Sequence, residues 1–181
     1  MWSFRPVWIF GGLLVLAGCG FQPLHGKFSA AGNAAEFPFI EIGTIEDRTG
    51  QQLKSELLRR LHAQGRAGIY RYRLHTELRD STSSLAVQKG ALATRADLRM
   101  SANFRLERIS DRQALMSATE RVTVSYNIFD SEFSTLMAEK NARQRAVRSL
   151  SDEIVNRLAV FFRSGGKLGG ERDRETRRQG N

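Results

Sequence analysis

The chain has 181 residues and a net charge of +9, with 28 Lys and Arg against 19 Asp and Glu, and a single cysteine. One cysteine excludes an internal disulfide and any metal site built on several thiolates, so stability has to come from an apolar core. The length suits one compact domain, and the charge favours an anionic partner through long-range attraction: a phosphate-bearing lipid, an acidic protein or nucleic acid.

Read from the N-terminus, Arg5 supplies a short positive region, residues 7–16 are an apolar stretch, and Leu16-Ala17-Gly18 places small residues before Cys19. That order is an export signal. The apolar stretch is too short to cross a hydrocarbon core, which takes roughly 20 residues of helix. Leu16-Ala17-Gly18-Cys19 resembles the bacterial lipobox, which implies removal of residues 1–18 and acylation of Cys19 with diacylglycerol and a further chain such as palmitate. At about 0.8 kcal/mol per buried CH₂, several chains on one residue make a stable membrane anchor. Gly20 in place of Asp implies sorting to the periplasmic side of the outer membrane. Removing 18 of 181 residues leaves 163, and losing Arg5 takes the charge from +9 to +8. Export leaves nucleic acid the least suited of the anionic partners, and none is expected.

Residues 19–38 read as a lipidated tether, without periodicity. Phe39 to Ile45 is short, β-branched and bounded by turn formers, a first strand. Thr49 to Gln52 fits a capping box, and Leu53, Leu57, Leu58 and Leu61 follow on one helical face ending near Gly65. From Tyr70 the period changes to two: Tyr70, Tyr72, Leu74 and Leu78 oppose Arg71, Arg73, His75, Glu77 and Arg79. Residues 80–95 read as a connection with a short edge strand near Leu85 to Val87. Leu98, Met100, Ala102, Phe104 and Leu106 then alternate with polar residues, and after Ser110-Asp111-Arg112 the set Met116, Ala118, Val122, Val124 and Tyr126 repeats the pattern, a long hairpin. A helix of some 28 residues starts near Ser134 and carries Val147, Leu150, Ile154 and Leu158 as far as Phe161 and Phe162.

The predicted order is β-α-β-β-β-α, an α+β two-layer sandwich with a mainly antiparallel four-stranded sheet and two helices on one face. The domain is expected over residues 39–162. Residues 163–181, rich in glycine and charge, are expected to be a disordered basic tail.

Catalytic patterns are missing. The three histidines, His25, His62 and His75, are scattered without metal-ligand spacing, and neither a nucleophile elbow nor a phosphate loop occurs. Asp152 and Glu153 are adjacent on a helix and do not face each other. The reading is non-enzymatic, without metal or cofactor. The basic residues are more informative: Arg71, Arg73, Arg99 and Arg105 gather on the polar face of the predicted sheet, with Lys89 and Arg95 in the loop beside it, and Arg and Lys suit phosphate.

Three segments carry a family resemblance: Cys19-Gly20-Phe21-Gln22-Pro23-Leu24, Asp47-Arg48-Thr49-Gly50-Gln51-Gln52-Leu53, and Ala93-Thr94-Arg95-Ala96-Asp97-Leu98. With the lipobox and the element order, the chain resembles the LptE family of lipopolysaccharide-assembly lipoproteins in its alphaproteobacterial form. The resemblance implies a non-enzymatic plug that sits inside the β-barrel LptD, assists its assembly and binds lipopolysaccharide. It implies basic residues near the loop between the second and third strands as contacts, here Lys89 first and Arg95 second; Arg71, Arg73 and Arg99 join them as candidates from the strand pattern. The competing reading is an outer-membrane lipoprotein that pilots or scaffolds another envelope complex; a lipoprotein hydrolase is a third.

Overall fold

The computed structural model describes residues 35–85 and 95–165. A short 3₁₀ helix, Phe37–Phe39, leads into β1 (Ile40–Ile42), followed by α1 (Asp47–Leu61), β2 (Tyr72–Leu85), β3 (Arg95–Arg108), β4 (Ala114–Asn127) and α2 (Glu132–Arg163). The sheet order is β1-β2-β3-β4; β1 runs parallel to β2 and the other pairs are antiparallel. This is the predicted α+β fold in the predicted order.

Period-two patterning explains the sheet's two faces. On β3 the residues Ala96, Leu98, Met100, Ala102, Phe104 and Leu106 are all buried; their register partners continue the apolar side with Leu74 and Leu78 on β2 and Met116, Ala118, Val122, Val124 and Tyr126 on β4, while Asp80 and Glu120 on the same side meet arginines of the long second helix. Ile40, Ile42 and Leu74 join them, together with Leu53, Leu57 and Leu61 of α1 and Val147, Leu150, Ile154, Leu158 and Phe161 of α2, in one core. Both helices therefore cover one face. The 14-residue strands β2 to β4 span about 46 Å at 3.3 Å per residue, and the 32 residues of α2 rise about 48 Å, so one helix can line the whole length of the hairpin. Buried Ala142 and Ala146 let it approach the strands closely.

Charged pins tie the layers. Arg143 of α2 bonds Asp80 of β2, Arg157 Nε donates to Glu120 Oε1 of β4 at 2.8 Å, and Arg60 of α1 pairs with Asp152 of α2. Burial pulls the Arg143 guanidinium toward a lower pKa, but bonds to Glu139 and Asp80 outweigh it and hold the group above its ordinary value.

Several boundaries move. The helix expected to start with a Thr49 capping box begins at Asp47, with Thr49 inside its first turn; Gln51 Nε2 instead donates to the Ile45 carbonyl at 2.6 Å. α2 starts at Glu132 because Ser131, rather than a residue near Ser134, takes the N-cap and accepts from the Ser134 N–H. Phe37, assigned above to the tether, is buried against Phe162 with ring centroids 6.3 Å apart, and Phe39 lies in the 3₁₀ turn instead of the strand. β2 continues to Leu85 where a connection was expected, since its Ser and Thr residues pair in unbroken register with β3. The β3–β4 turn is held by Asp111, whose Oδ1 accepts the Gln113 N–H at 3.1 Å while Oδ2 meets Arg108; these bonds keep its carboxyl below the usual range.

Candidate functional site

The sheet face opposite the helices carries no covering layer among the described residues. Odd-numbered positions of β2 and β3 point there: Arg73, His75, Glu77, Arg79, Ser81 and Ser83 lie beside Glu107, Arg105, Asn103, Ser101, Arg99 and Asp97. β4 adds Ser117, Thr119, Arg121, Thr123 and Ser125 in register with β3. Strand alternation alone thus builds a polar surface three strands wide.

This surface has two electrostatic halves. Toward the Tyr72 end the arginines have acidic partners: Arg73 Nε donates to Glu41 Oε2 at 2.9 Å, and Glu107 lies 3.7 Å from Arg105 Nη2, with His75 Nε2 3.6 Å from the same carboxylate. Arg71 stacks its guanidinium 4.1 Å from the centre of the Phe39 ring and pairs with Glu36 at 3.8 Å. Toward the Leu85 end, Arg79, Arg95, Arg99 and Arg121 are exposed and form no ion pair among the described residues. Asp97, the acid among them, instead accepts the Ser125 hydroxyl at 2.7 Å.

Register sets the cluster's geometry. Arg79, Ser101 and Arg121 form one row straight across β2, β3 and β4, and Ser81, Arg99 and Thr123 form the next row on that face. The six line a shallow depression of about 240 Å³. Three guanidiniums and three hydroxyls can all donate toward an approaching oxyanion, Asp80 in the same lining being held by Arg143, and Arg forks match phosphate oxygens bidentately.

The sequence-predicted residues are therefore not one patch. Arg73 and the position opposite Arg99, Ser81, are eight residues apart on β2, about 26 Å at 3.3 Å per residue. Arg71 and Arg73 belong to the half with acidic partners, and Arg99 to the free cluster. Arg95, expected in the loop, is the first residue of β3, opposite Leu85 and Asn127. Lys89 and Cys19 lie outside the described residues. The apolar alternation of β4 does not single out Arg121; its register partner Ser101 is what brings it beside Arg79.

Fold and face together define a class: a two-layer α+β domain whose helices seal one side of a sheet and whose other side, uncovered among the described residues, is polar and cationic at one end. The chain matches the LptE lipopolysaccharide-assembly family over residues 37–158, and it belongs to that family. Among solved structures it is similar to a protein of Caulobacter crescentus CB15 described as a lipoprotein, with 26% identity over 73% of this chain and 96% of that one, at a TM-score of 0.58. A lipoprotein B of Nitrosomonas europaea (18% identity, 75% and 91% covered, TM-score 0.55) and a rare lipoprotein B of Shewanella oneidensis (9%, 67% and 93%, 0.53) share the fold. No curated protein matches the sequence significantly.

Proposed function

We propose that this chain is an outer-membrane lipoprotein, anchored on the periplasmic side through acylated Cys19, that plugs an LptD-type β-barrel, assists its assembly and binds lipopolysaccharide on its way to the outer leaflet. It acts without catalysis. The observation that carries the reading is the polar sheet face with its Arg79, Arg99 and Arg121 cluster, uncovered and without ion pairs among the described residues. A polar face suits a water-lined lumen, and free cations suit the phosphates of lipid A. Family membership supports the same process. No described helix is long and apolar enough to cross a membrane, so attachment of the described domain falls to the lipid anchor or to a partner.

Affinity purification of the full lipoprotein from membranes in mild detergent tests the reading. Recovery of a large outer-membrane β-barrel near one to one is expected. Recovery of a different envelope complex in its place would overturn the plug role and favour a pilot or scaffold.

A further inference from the structure

We propose that the free edge of β2 over residues 76–84 is a strand-addition site for an extended segment of the enclosing barrel protein, one that carries Lys or Arg past an acidic cleft formed by Glu46, Asp47 and Glu77. The inference rests on the plug reading, because it takes the occupant from that partner.

β2 is 14 residues long, yet β1 covers only Tyr72 to Leu74 of its outer edge. The last bond of that pairing runs from the Gly43 N–H to the Leu74 carbonyl at 2.9 Å. Backbone groups alternate sides along a strand, so Thr76, Leu78, Asp80, Thr82 and Ser84 send their N–H and C=O groups the same way as Leu74, away from β3. Among the described residues these outward groups have no backbone partner. Folded proteins blunt such edges with proline, bulges or charged side chains. Here the β2–β3 register is continuous from Tyr72 to Leu85 and the segment contains no proline; its charges, Glu77, Arg79 and Asp80, select a partner strand of matching opposite charge.

The side chains along the edge point the same way. A cleft of about 440 Å³ lies against it, lined on one side by Gly43, Thr44, Glu46 and Asp47 and on the other by residues 75–79. Thr76 in its wall is only 8% exposed, and its buried Oγ1 has no hydrogen-bond partner. A buried hydroxyl is rarely left so, and an incoming backbone would satisfy it. Glu46, Asp47 and Glu77 form no ion pair among the described residues, and against the one arginine in the lining, Arg79, they leave the cleft net acidic on a chain of net charge +9. The occupant is therefore a strand with basic side chains. β4, the other edge, is partly capped: Arg145 Nη2 donates to the Ser125 carbonyl at 3.3 Å.

Hydrogen exchange resolved to single residues, on the full lipoprotein alone and in its copurified barrel complex, tests this. In the free protein, amides of residues 77, 79, 81 and 83 should be protected by β3, and those of 76, 78, 80, 82 and 84 should exchange fast. In the complex the even-numbered set should slow at least tenfold. Thr82→Pro, which deletes an outward N–H, should cut complex recovery severalfold while leaving the domain folded, whereas Ser83→Pro breaks the β3 pairing and unfolds it. A stable complex in which the even-numbered amides still exchange fast would overturn strand addition and leave the plug intact. Failure to recover any barrel would overturn both.

Discussion

Replacing Gly50 by Ala tests the packing logic at the start of α1. A Cβ built on Gly50 falls 2.7 Å from Ile45 Cγ2 and 3.1 Å from the Ile45 carbonyl carbon and oxygen. Ile45 is 1% exposed and locked in the core, and backbone atoms cannot rotate aside as the end of a flexible side chain would. Overpacking of this kind costs about 1–3 kcal/mol. Ala favours a helix over Gly by about 0.5–1 kcal/mol, and because the closest clash is with a core side chain and its own backbone, the net loss should lie in the upper part of the resulting range of about 0–2.5 kcal/mol, at roughly 1–2. For a domain of this size that lowers Tm by roughly 3–8 °C. Gly68→Ala is the control, because nothing lies within 4 Å of its Cβ position; its Tm should stay within about 2 °C of the parent. Thermal unfolding followed by circular dichroism reads both. A Gly50→Ala variant as stable as the parent would refute the claim that close approach of Ile45 requires glycine in the Asp47-Arg48-Thr49-Gly50 segment.

The remaining predictions address charge, core and anchor. Reversing both Arg99 and Arg121 to Glu should weaken lipopolysaccharide binding about 10–100-fold, at roughly 1 kcal/mol or more per lost phosphate contact, while Arg73→Glu should change it little; equal losses would dissolve the division of the face into two halves. Leu150→Ala, at a fully buried site, should destabilise by about 2–5 kcal/mol in urea unfolding. Burial, and then the neighbouring Glu36 carboxylate, raises the Tyr72 pKa, so the folded state holds its phenol proton longer than the unfolded chain. The matching stability is present below about pH 10 and is lost as pH climbs through the folded value; Tyr72→Phe should flatten that alkaline decline. Cys19→Ala should abolish acylation, read as loss of the acyl mass by mass spectrometry of the purified chain, and a variant that is still acylated would place the anchor elsewhere.

Much of this fold is written in periodicity. The alternation from Leu98 to Leu106 and from Met116 to Tyr126 fixes which side of the hairpin is buried, and the Leu53, Leu57, Leu61 spacing fixes the inner face of α1. Boundaries were less legible where side chains have two local uses. Thr49 looks like a cap in sequence, but the chain turns earlier at Asp47, which adopts φ of +65°. Ser81, Thr82, Ser83 and Ser84 look like loop, yet β3 supplies partners from a distance in sequence. The same nonlocal register limited the site. Arg99 was legible as an exposed cation, but its grouping with Arg79 and Arg121 depends on Ser101 facing both Arg79 and Arg121 across the strands, a relation that no single segment contains. A register shift between Leu106 and Glu107 separates the turn from the regular pairing.

The most direct test of the central claim places a photo-crosslinking side chain at Ser101, between Arg79 and Arg121, in the intact envelope. The account predicts adducts with lipopolysaccharide in cells whose barrel complex is assembled, and their loss when Arg99 and Arg121 are reversed to Glu. Strong protein adducts at Ser101 without any lipopolysaccharide would contradict it, because the free cationic half of the sheet would then be a protein-docking face and not the lipid site.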